Sequence, residues 1–277
     1  MTLKKKGLTI EGDELQLRFL VIDILHPLLE FTPENRIAVR KANTPLEKQC
    51  YDLANTDLQS VSHQAVERLN FFLTEYNLSL NYPSKKFLLL FICIMEIRPV
   101  DESMKFCYRL PLAPLNIRFV DDIKENRLYN VAFSMMNFSR SLDFPFDKRL
   151  WYTTEQFTEQ VVSHLKHPFT IQEEFINELY NYLYREITLD HFHCTFVDKT
   201  VENTKEQFSD LYDTVRKYEV YFKASYNFSF MDEHLSTLTL LVQKHILRNR
   251  TINRQYKKIV VMTSINFERV SFFPGTN

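Results

Sequence analysis

Glycine is almost missing from this sequence. The 277 residues hold three, Gly7, Gly12 and Gly275, so none lies from Asp13 to Pro274, against an average usage of roughly 7%. Phosphate-cradling G-x-x-x-x-G-K-[ST] loops, dinucleotide fingerprints and G-x-S-x-G elbows each need glycine where the backbone takes positive φ or approaches a ligand closely, and all three are excluded. Two-residue hairpins lean on Asn-Gly or Asp-Gly, which argues against a sandwich or barrel of many tight turns. Helices joined by Asn, Asp, Ser and Pro loops remain.

Cysteine is sparse too. Cys50, Cys93, Cys107 and Cys194 are widely spaced with no C-x-x-C pair, and the N-terminus lacks the apolar core of a signal peptide, which together predict a reduced, cytoplasmic protein. The longest apolar run, Phe87 to Met95, is closed by Lys85 and Lys86 on one side and by Glu96 and Arg98 on the other. It falls far short of the roughly 20 residues that span a bilayer and reads as a buried helix. Nor does one sign of charge dominate. With 34 basic and 35 acidic residues the net charge is -1, so bulk electrostatics announce neither nucleic acid nor membrane.

What is present is an ordinary globular composition, 45% hydrophobic and 25% charged, at a length that suits one large domain or two smaller ones. Thr56-x-x-Gln59 forms a capping-box pattern, and Leu58, Val61, Ala65, Leu69, Phe72 and Tyr76 recur every three or four residues, predicting a helix from about 57 to 76. Pro83 suits the first turn of the next, apolar nearly all round, which Arg98-Pro99 ends. Further helices are predicted within Asp121–Phe138, after Thr153-x-x-Gln156, after Thr170-x-x-Glu173, from Asn203 through Phe222, and from an Asp232 cap to Arg248. The division between two bundles is placed near Ser139–Tyr152 or just after His167. Two places look like strands, Leu8–Ile10 and Ile259–Met262, one at each end of the chain.

The N-terminal stretch Lys4-Lys5-Lys6-Gly7-Leu8-Thr9-Ile10-Glu11-Gly12-Asp13-Glu14, with Arg18 shortly after, resembles the segment that closes the helix-turn-helix region in regulators with phosphotransferase-regulation domains (PRDs). It is especially similar to the Mga/AtxA-type virulence regulators of Gram-positive bacteria. The helix from Pro83 to Arg98 followed by Asp101-Glu102-Ser103 resembles the opening helix of a PRD, and Leu179 to Arg185 its counterpart in a second copy. The helix from Asp232 to Arg248 is similar to the last part of that copy, and Lys257 to Met262 to the start of the IIB-like domain that follows. The resemblance implies small helical bundles, often paired in dimers, whose histidines are phosphorylated by the sugar phosphotransferase system so that association and DNA or RNA binding change. Typical opening helices carry a histidine near their middle. Here the matching positions are Phe91, Ile92 and Cys93 in the first copy and Asn181 and Tyr182 in the second.

By the same resemblance, the phosphorylation candidates are His234, His164 and His245, in the closing helices. Charge favours His234, within the first turn of its helix, whereas His164 and His245 lie toward helix C-termini. The plainer reading of all three is that of helix-end histidines. His164-x-x-His167 and His191-x-His193-Cys194 have metal-ligand spacing but no obvious further ligands, so neither a metal nor a cofactor is expected. Lys244, Arg248, Arg250, Arg254, Lys257 and Lys258 form the one basic cluster. Arg248, Arg250 and Arg254, with Lys4, Lys5 and Lys6, are the candidates for nucleic-acid contact, although a solvated helix end and linker is the commoner use of such a run. The run Tyr212, Tyr218, Tyr221, Phe222, Tyr226 and Phe228 reads as bundle core or a dimer face rather than a base-stacking platform. Adjacent acids such as Asp121-Asp122 diverge by about 100° on a helix and do not converge on one substrate atom. No enzyme is expected.

The sequence therefore predicts an all-α protein of two tandem PRD-like helical bundles with short strand remnants at the chain ends. Residues 1–18 would close a DNA-binding region, 19–167 form the first bundle with its leading helices, 168–255 the second, and 256–277 begin a IIB-like domain or tail. The expected role is the regulatory and dimerisation core of a bacterial transcription regulator. It would form a homodimer, take phosphate from HPr or another phosphotransferase-system protein, reach DNA through regions outside this chain, and touch no membrane. Two alternatives stay open, a helical ligand- or metal-binding domain, possibly enzymatic, built on a histidine cluster, and a purely structural dimerisation scaffold.

Overall fold

The computed structural model describes residues 12–32, 37–39, 44–45, 48, 52, 57–101, 104, 109–138, 142, 144–166, 168–194 and 201–265, with only the backbone for 38, 39, 202 and 250–265. Its elements are α1 (Glu14–Leu25), β1 (Leu29–Phe31), β2 (Ile37–Val39), α2 (Gln59–Glu75), α3 (Tyr82–Ile97), α4 (Ile123–Ser134), α5 (Lys148–Ser163), α6 (Glu173–His191), α7 (Val201–Gln207), α8 (Ser209–Lys217), α9 (Val220–Tyr226) and α10 (Asp232–Ile265). The fold is all-α. The chain divides into two compact units, Met1–Trp151 with Asn181–Val197, and Tyr152–Tyr180 with Asp198–Asn277.

In the first unit, α1, α3 and α4 start on side-chain oxygens, whereas α2 starts behind Leu58 with no side-chain cap. Asp13 accepts the Leu15 N–H at 3.0 Å, Asn81 the Ser84 N–H at 2.9 Å, and Asp122 the Glu125 N–H at 2.8 Å, each satisfying an otherwise orphaned donor of the first turn. Behind the Asn81 cap and Pro83, every residue from Phe87 to Met95 is buried, as the uninterrupted apolar run predicts. Leu15, Phe19, Ile22 and Leu25 of α1 pack on this central helix at helical spacing, and the Phe19 ring lies 5.3 Å from Phe91 and 4.7 Å from Phe192. On its other side Phe72 of α2 stacks on Phe133 of α4 at 4.8 Å, with Phe119 set edge-on to both. Burying each such side chain stabilises the unit by about 2 kcal/mol relative to exposure.

One segment of this unit is held by a helix where a strand would ordinarily serve. Residues 115–120 run alongside α4, whose Asn126, Asn130 and Ser134 face them at i, i+4 and i+8. Ser134 Oγ accepts from Leu115 N–H at 2.9 Å, Asn130 Oδ1 from Ile117 N–H at 2.8 Å, and Asn126 Oδ1 from Phe119 and Val120 N–H at 2.8 and 3.2 Å. Both asparagine amides donate back to the Ile117 carbonyl at 2.8 Å.

The helix reading needs several corrections. The strand expected at Ile259–Met262 lies inside α10. No glycine or proline interrupts the chain from Asp232 to Ile265, so extending the helix adds a hydrogen bond per residue, whereas a lone strand has nothing to pair with. The other expected strand, Leu8–Ile10, lies outside the described residues, as do Thr56, His167, Cys50 and Cys107. A short hairpin was not foreseen. In it β1 and β2 pair antiparallel, Leu29 opposite Val39 and Phe31 opposite Ile37. Asp147, not Thr153, starts α5, accepting the Leu150 N–H at 2.7 Å, and α6 begins at Glu173 rather than just after Thr170. The single helix expected from Asn203 through Phe222 is three, α7, α8 and α9, broken at Phe208 (φ -129°) and at Tyr218–Glu219.

The asparagine ladder predicts that Asn130→Leu, which leaves the Ile117 N–H without its acceptor, lowers unfolding free energy by about 1–3 kcal/mol. The exposed neighbour change Lys124→Ala stays within about 0.5 kcal/mol. Urea midpoints of the two variants check this, and equal midpoints would refute the ladder's structural role.

Candidate functional site

The three histidines singled out from sequence all fall in the second unit. Its core joins Phe157 of α5, Phe222 of α9 and Phe230 ahead of α10, with Phe157 5.5 Å from Phe222 and 6.0 Å from Phe230. Around that core each imidazole meets a different fate.

His234 is buried, 5% exposed, with its ring 5.1 Å from Phe228. Its Nδ1 accepts the backbone N–H of Met231 at 3.0 Å. This is the returning half of a capping box, with histidine in the place where glutamate or glutamine usually reaches back from the third helical position. The Asp232 carboxylate, expected to cap this helix, is its first residue and faces elsewhere, accepting from Tyr212 Oη at 2.9 Å and Arg216 Nη2 at 2.7 Å.

His245 is also buried, 2% exposed. Its ring lies 4.3 Å from Phe175, and Nε2 donates to Glu178 Oε2 at 2.8 Å. Glu178 pairs in addition with Lys244, and one turn away Arg248 Nη1 donates to Glu174 Oε1 at 2.7 Å. Two acids at i,i+4 on α6 thus face two bases at i,i+4 on α10. The spacing was legible in both helices, but not that they would be neighbours. Burial pushes the Glu178 carboxyl up, and the hydrogen bonds from Lys244 and His245 outweigh it, holding the group below its ordinary value of about 4.5.

His164 is exposed. It follows the last residue of α5, where Nδ1 lies 3.0 Å from the Gln160 carbonyl and 3.1 Å from Ser163 Oγ. The Tyr218 hydroxyl, at the end of α8, stands 2.9 Å from Nδ1 and 3.0 Å from Nε2. A carbonyl only accepts, so Nδ1 carries the proton and Nε2 the lone pair, while the Tyr218 hydroxyl, nearly equidistant from the two nitrogens, lies over the ring face rather than along that lone pair. Lys217 sits 5.3 Å over the Tyr218 ring, and neighbouring Lys166 pairs with Asp210 at 3.0 Å. Tyr218 was read from sequence only as part of an aromatic core run. The run does supply core, since Tyr212, Phe222 and Phe228 are buried, but periodicity does not show which hydroxyl reaches an imidazole.

Of the nucleic-acid candidates, Arg248 is in the ion pair with Glu174. Arg250 and Arg254 lie in α10 beyond the described side chains, and Lys4, Lys5 and Lys6 lie outside the described residues. His191 ends α6, His193 follows it at φ 55°, and among the described residues no three His, Cys, Asp or Glu side chains gather to hold a metal. Burial pushes the Cys93 and Cys194 thiols up to about 12, so neither supplies a thiolate near neutral pH. Among the described residues no helix is long and apolar enough to cross a membrane. Compared with known proteins, the chain matches no family model, no curated sequence and no solved structure.

The pairing at Glu178 sets a pH dependence. A carboxyl whose folded pKa is depressed contributes stability that is fully present above its unfolded value and lost as pH falls through the lower folded one. The stability difference between the wild-type chain and Glu178→Gln is therefore largest above about pH 4.5 and narrows on further acidification. Urea titrations at stepped pH measure it, and a difference that widens toward acid would contradict the ion-paired state.

Proposed function

We propose that this chain is the regulatory and self-association core of a cytoplasmic bacterial transcription regulator of the PRD type, with no catalysis of its own. In this reading it is a homodimer switched by phosphorylation of His164, and HPr or a related phosphotransferase protein is the donor. The support comes from the N-terminal and helix-end residues that resemble such regulators and from the all-α fold. The single observation that carries the choice of residue is the state of the three imidazoles. His234 uses its lone pair inside a helix cap, and His245 is buried against a carboxylate that would repel a phosphoryl group. His164 alone of the three is exposed, with its proton fixed on Nδ1 and its lone pair on Nε2.

In the transfer, Nε2 of His164 forms the bond to phosphorus as the bond to the donor's histidine nitrogen breaks. The Tyr218 hydroxyl, which lies over the ring, can turn to donate to a phosphoryl oxygen. The contact between the ends of α5 and α8 is thereby exchanged for one that carries about -2 of charge, with Ser163 and Lys217 at hand. A local change of hydrogen bond and charge then biases how the helices pack and how copies associate, which DNA-binding elements outside this chain would read.

Incubation of the chain with phosphoenolpyruvate, enzyme I and HPr tests this by intact mass and mapping of acid-labile phosphohistidine. One added phosphoryl group on His164 is expected, absent from His164→Ala and retained in His234→Ala and His245→Ala, both of which melt at lower temperature than the wild type. No addition to folded protein, or undiminished addition to His164→Ala, would sink the proposal.

A further inference from the structure

The basic run from Lys244 to Lys258 reads from sequence as a solvated helix end, yet it lies inside α10, which continues to Ile265. Attraction of cations to a helix C-terminus falls off within the last turn. The last turn of α10 holds no basic residue, and Lys258 stands about two turns short of its end. The helix dipole therefore does not account for the run.

Two of its cations are matched within the second unit. Lys244 pairs with Glu178 and Arg248 with Glu174, both on α6. The other four, Arg250, Arg254, Lys257 and Lys258, have no acid beside them on their own helix, since after Glu233 the sequence holds no Asp or Glu until Glu268. At about 100° per residue these four positions fall within one arc of about 100°, and Ile252, Tyr256, Ile259 and Val260 fall within an arc of similar width on the opposite side. The apolar arc continues the face on which Leu238, Val242 and His245 are buried. Like charges at i,i+4, as at 250, 254 and 258, destabilise a helix, an arrangement that an anionic partner would relieve.

The placement of the two arcs selects among anionic partners. A bilayer takes in the apolar face of an interfacial helix, which would leave these cations on the far side from the lipid. A protein partner is held by buried apolar and aromatic anchors, and between Arg250 and Lys258 no apolar residue falls on the cationic arc. A phosphate backbone needs only spaced positive charge, and each turn of α10 brings a cation round about every 5–6 Å. Of the two duplexes, B-DNA has a major groove that admits an α-helix, whereas that of A-form RNA is too deep and narrow.

We infer that the stretch of α10 from Arg250 to Lys258 docks on the phosphate backbone along the major groove of duplex DNA, without reading base sequence. This goes beyond the regulator reading, which places the DNA contacts outside this chain, and it is independent of phosphorylation at His164.

Fluorescence anisotropy of a labelled DNA duplex of arbitrary sequence, titrated with the whole chain at stepped potassium chloride concentrations, tests the assignment. At about -0.9 per neutralised phosphate, four cations give a slope of log K against log salt of about -3.6. The variant carrying Arg250→Gln, Arg254→Gln, Lys257→Gln and Lys258→Gln is expected to lose most of that slope and to bind at least about tenfold more weakly. Arg248→Gln, which removes a cation already paired with Glu174, leaves both unchanged. If the fourfold variant fails to fold, protection of Lys257 and Lys258 of the wild type from acetylation by bound DNA decides the matter. An undiminished slope in the folded variant, no protection of those lysines, equal affinity for an RNA duplex, or binding to phosphatidylglycerol vesicles without binding to DNA would overturn the proposal.

Discussion

A backbone with no glycine from Asp13 to Pro274 has no residue that enters the left-handed region without steric cost, and much of the architecture follows from how the chain turns without it. Asn77, His193 and Asn227 take φ of 51°, 55° and 54°, just past the ends of α2, α6 and α9. There the Leu78 N–H returns to the Leu73 carbonyl at 2.8 Å and the Cys194 N–H to Leu189 at 3.0 Å, closing orphaned carbonyls as a glycine-terminated helix does. Asparagine tolerates that conformation best among the other residues. Histidine is also enriched there. The same economy appears at helix starts, where Asp13, Asn81, Asp122, Asp147 and His234 provide the acceptors.

Two buried polar systems in the first unit show how differently neutral and charged groups behave out of water. The asparagine ladder of α4 is neutral and reciprocal, so each bond adds a modest gain and leaving one unmade costs more than making it yields. Arg18 is a charge whose desolvation costs several kcal/mol, which a single shared carboxylate offsets only in part. Burial accordingly pushes the Arg18 guanidinium down, and Glu14 raises it only partly back. What Arg18 does gain is position. Its Nη2 meets the Arg98 carbonyl at the C-terminal end of α3, where the helix dipole and an orphaned acceptor favour a cation. The pair therefore locks α1 to the end of the central helix.

The elements that could be read from sequence were those whose signal is local and repeated. The Phe87–Met95 run, Leu58, Ala65, Leu69 and Phe72 of the second stripe, and Leu128, Val131, Ala132 and Met135 of the third are buried on helices at or close to the expected bounds, whereas Val61 is only partly buried and Tyr76 is exposed. Ile123 belonged to the last stripe by spacing yet is 86% exposed, since it opens its helix beyond the packed face. Periodicity reports which faces are apolar, not where a helix breaks, because a turn at Phe208 or Tyr218 leaves the spacing of buried residues nearly intact. The β1–β2 hairpin escaped notice because three residues are too few to show alternation, although Thr32-Pro33-Glu34-Asn35 between the strands carried a turn signal. The Arg18–Glu14–Arg98 cluster was partly local, with Glu14 and Arg18 at i,i+4, but its third member lies 84 positions from Glu14.

The histidines show why charge at a helix end is too coarse a guide to reactivity. Dipole logic ranks a first-turn imidazole above one past a C-terminus, yet the dipole acts on a phosphoryl group only if a lone pair is available to receive it. At His234 the first-turn position itself consumes the lone pair, because the same unpaired N–H groups that make a helix start attractive to anions also compete for the ring nitrogen. At His164 the Gln160 carbonyl, an orphan acceptor of the last turn, draws the proton to Nδ1 and leaves the lone pair on Nε2. On the proposed reading, the C-terminal position that is unfavourable for negative charge is the one that leaves a lone pair for the phosphoryl group, and Lys217 beside Tyr218 is left to offset the dipole.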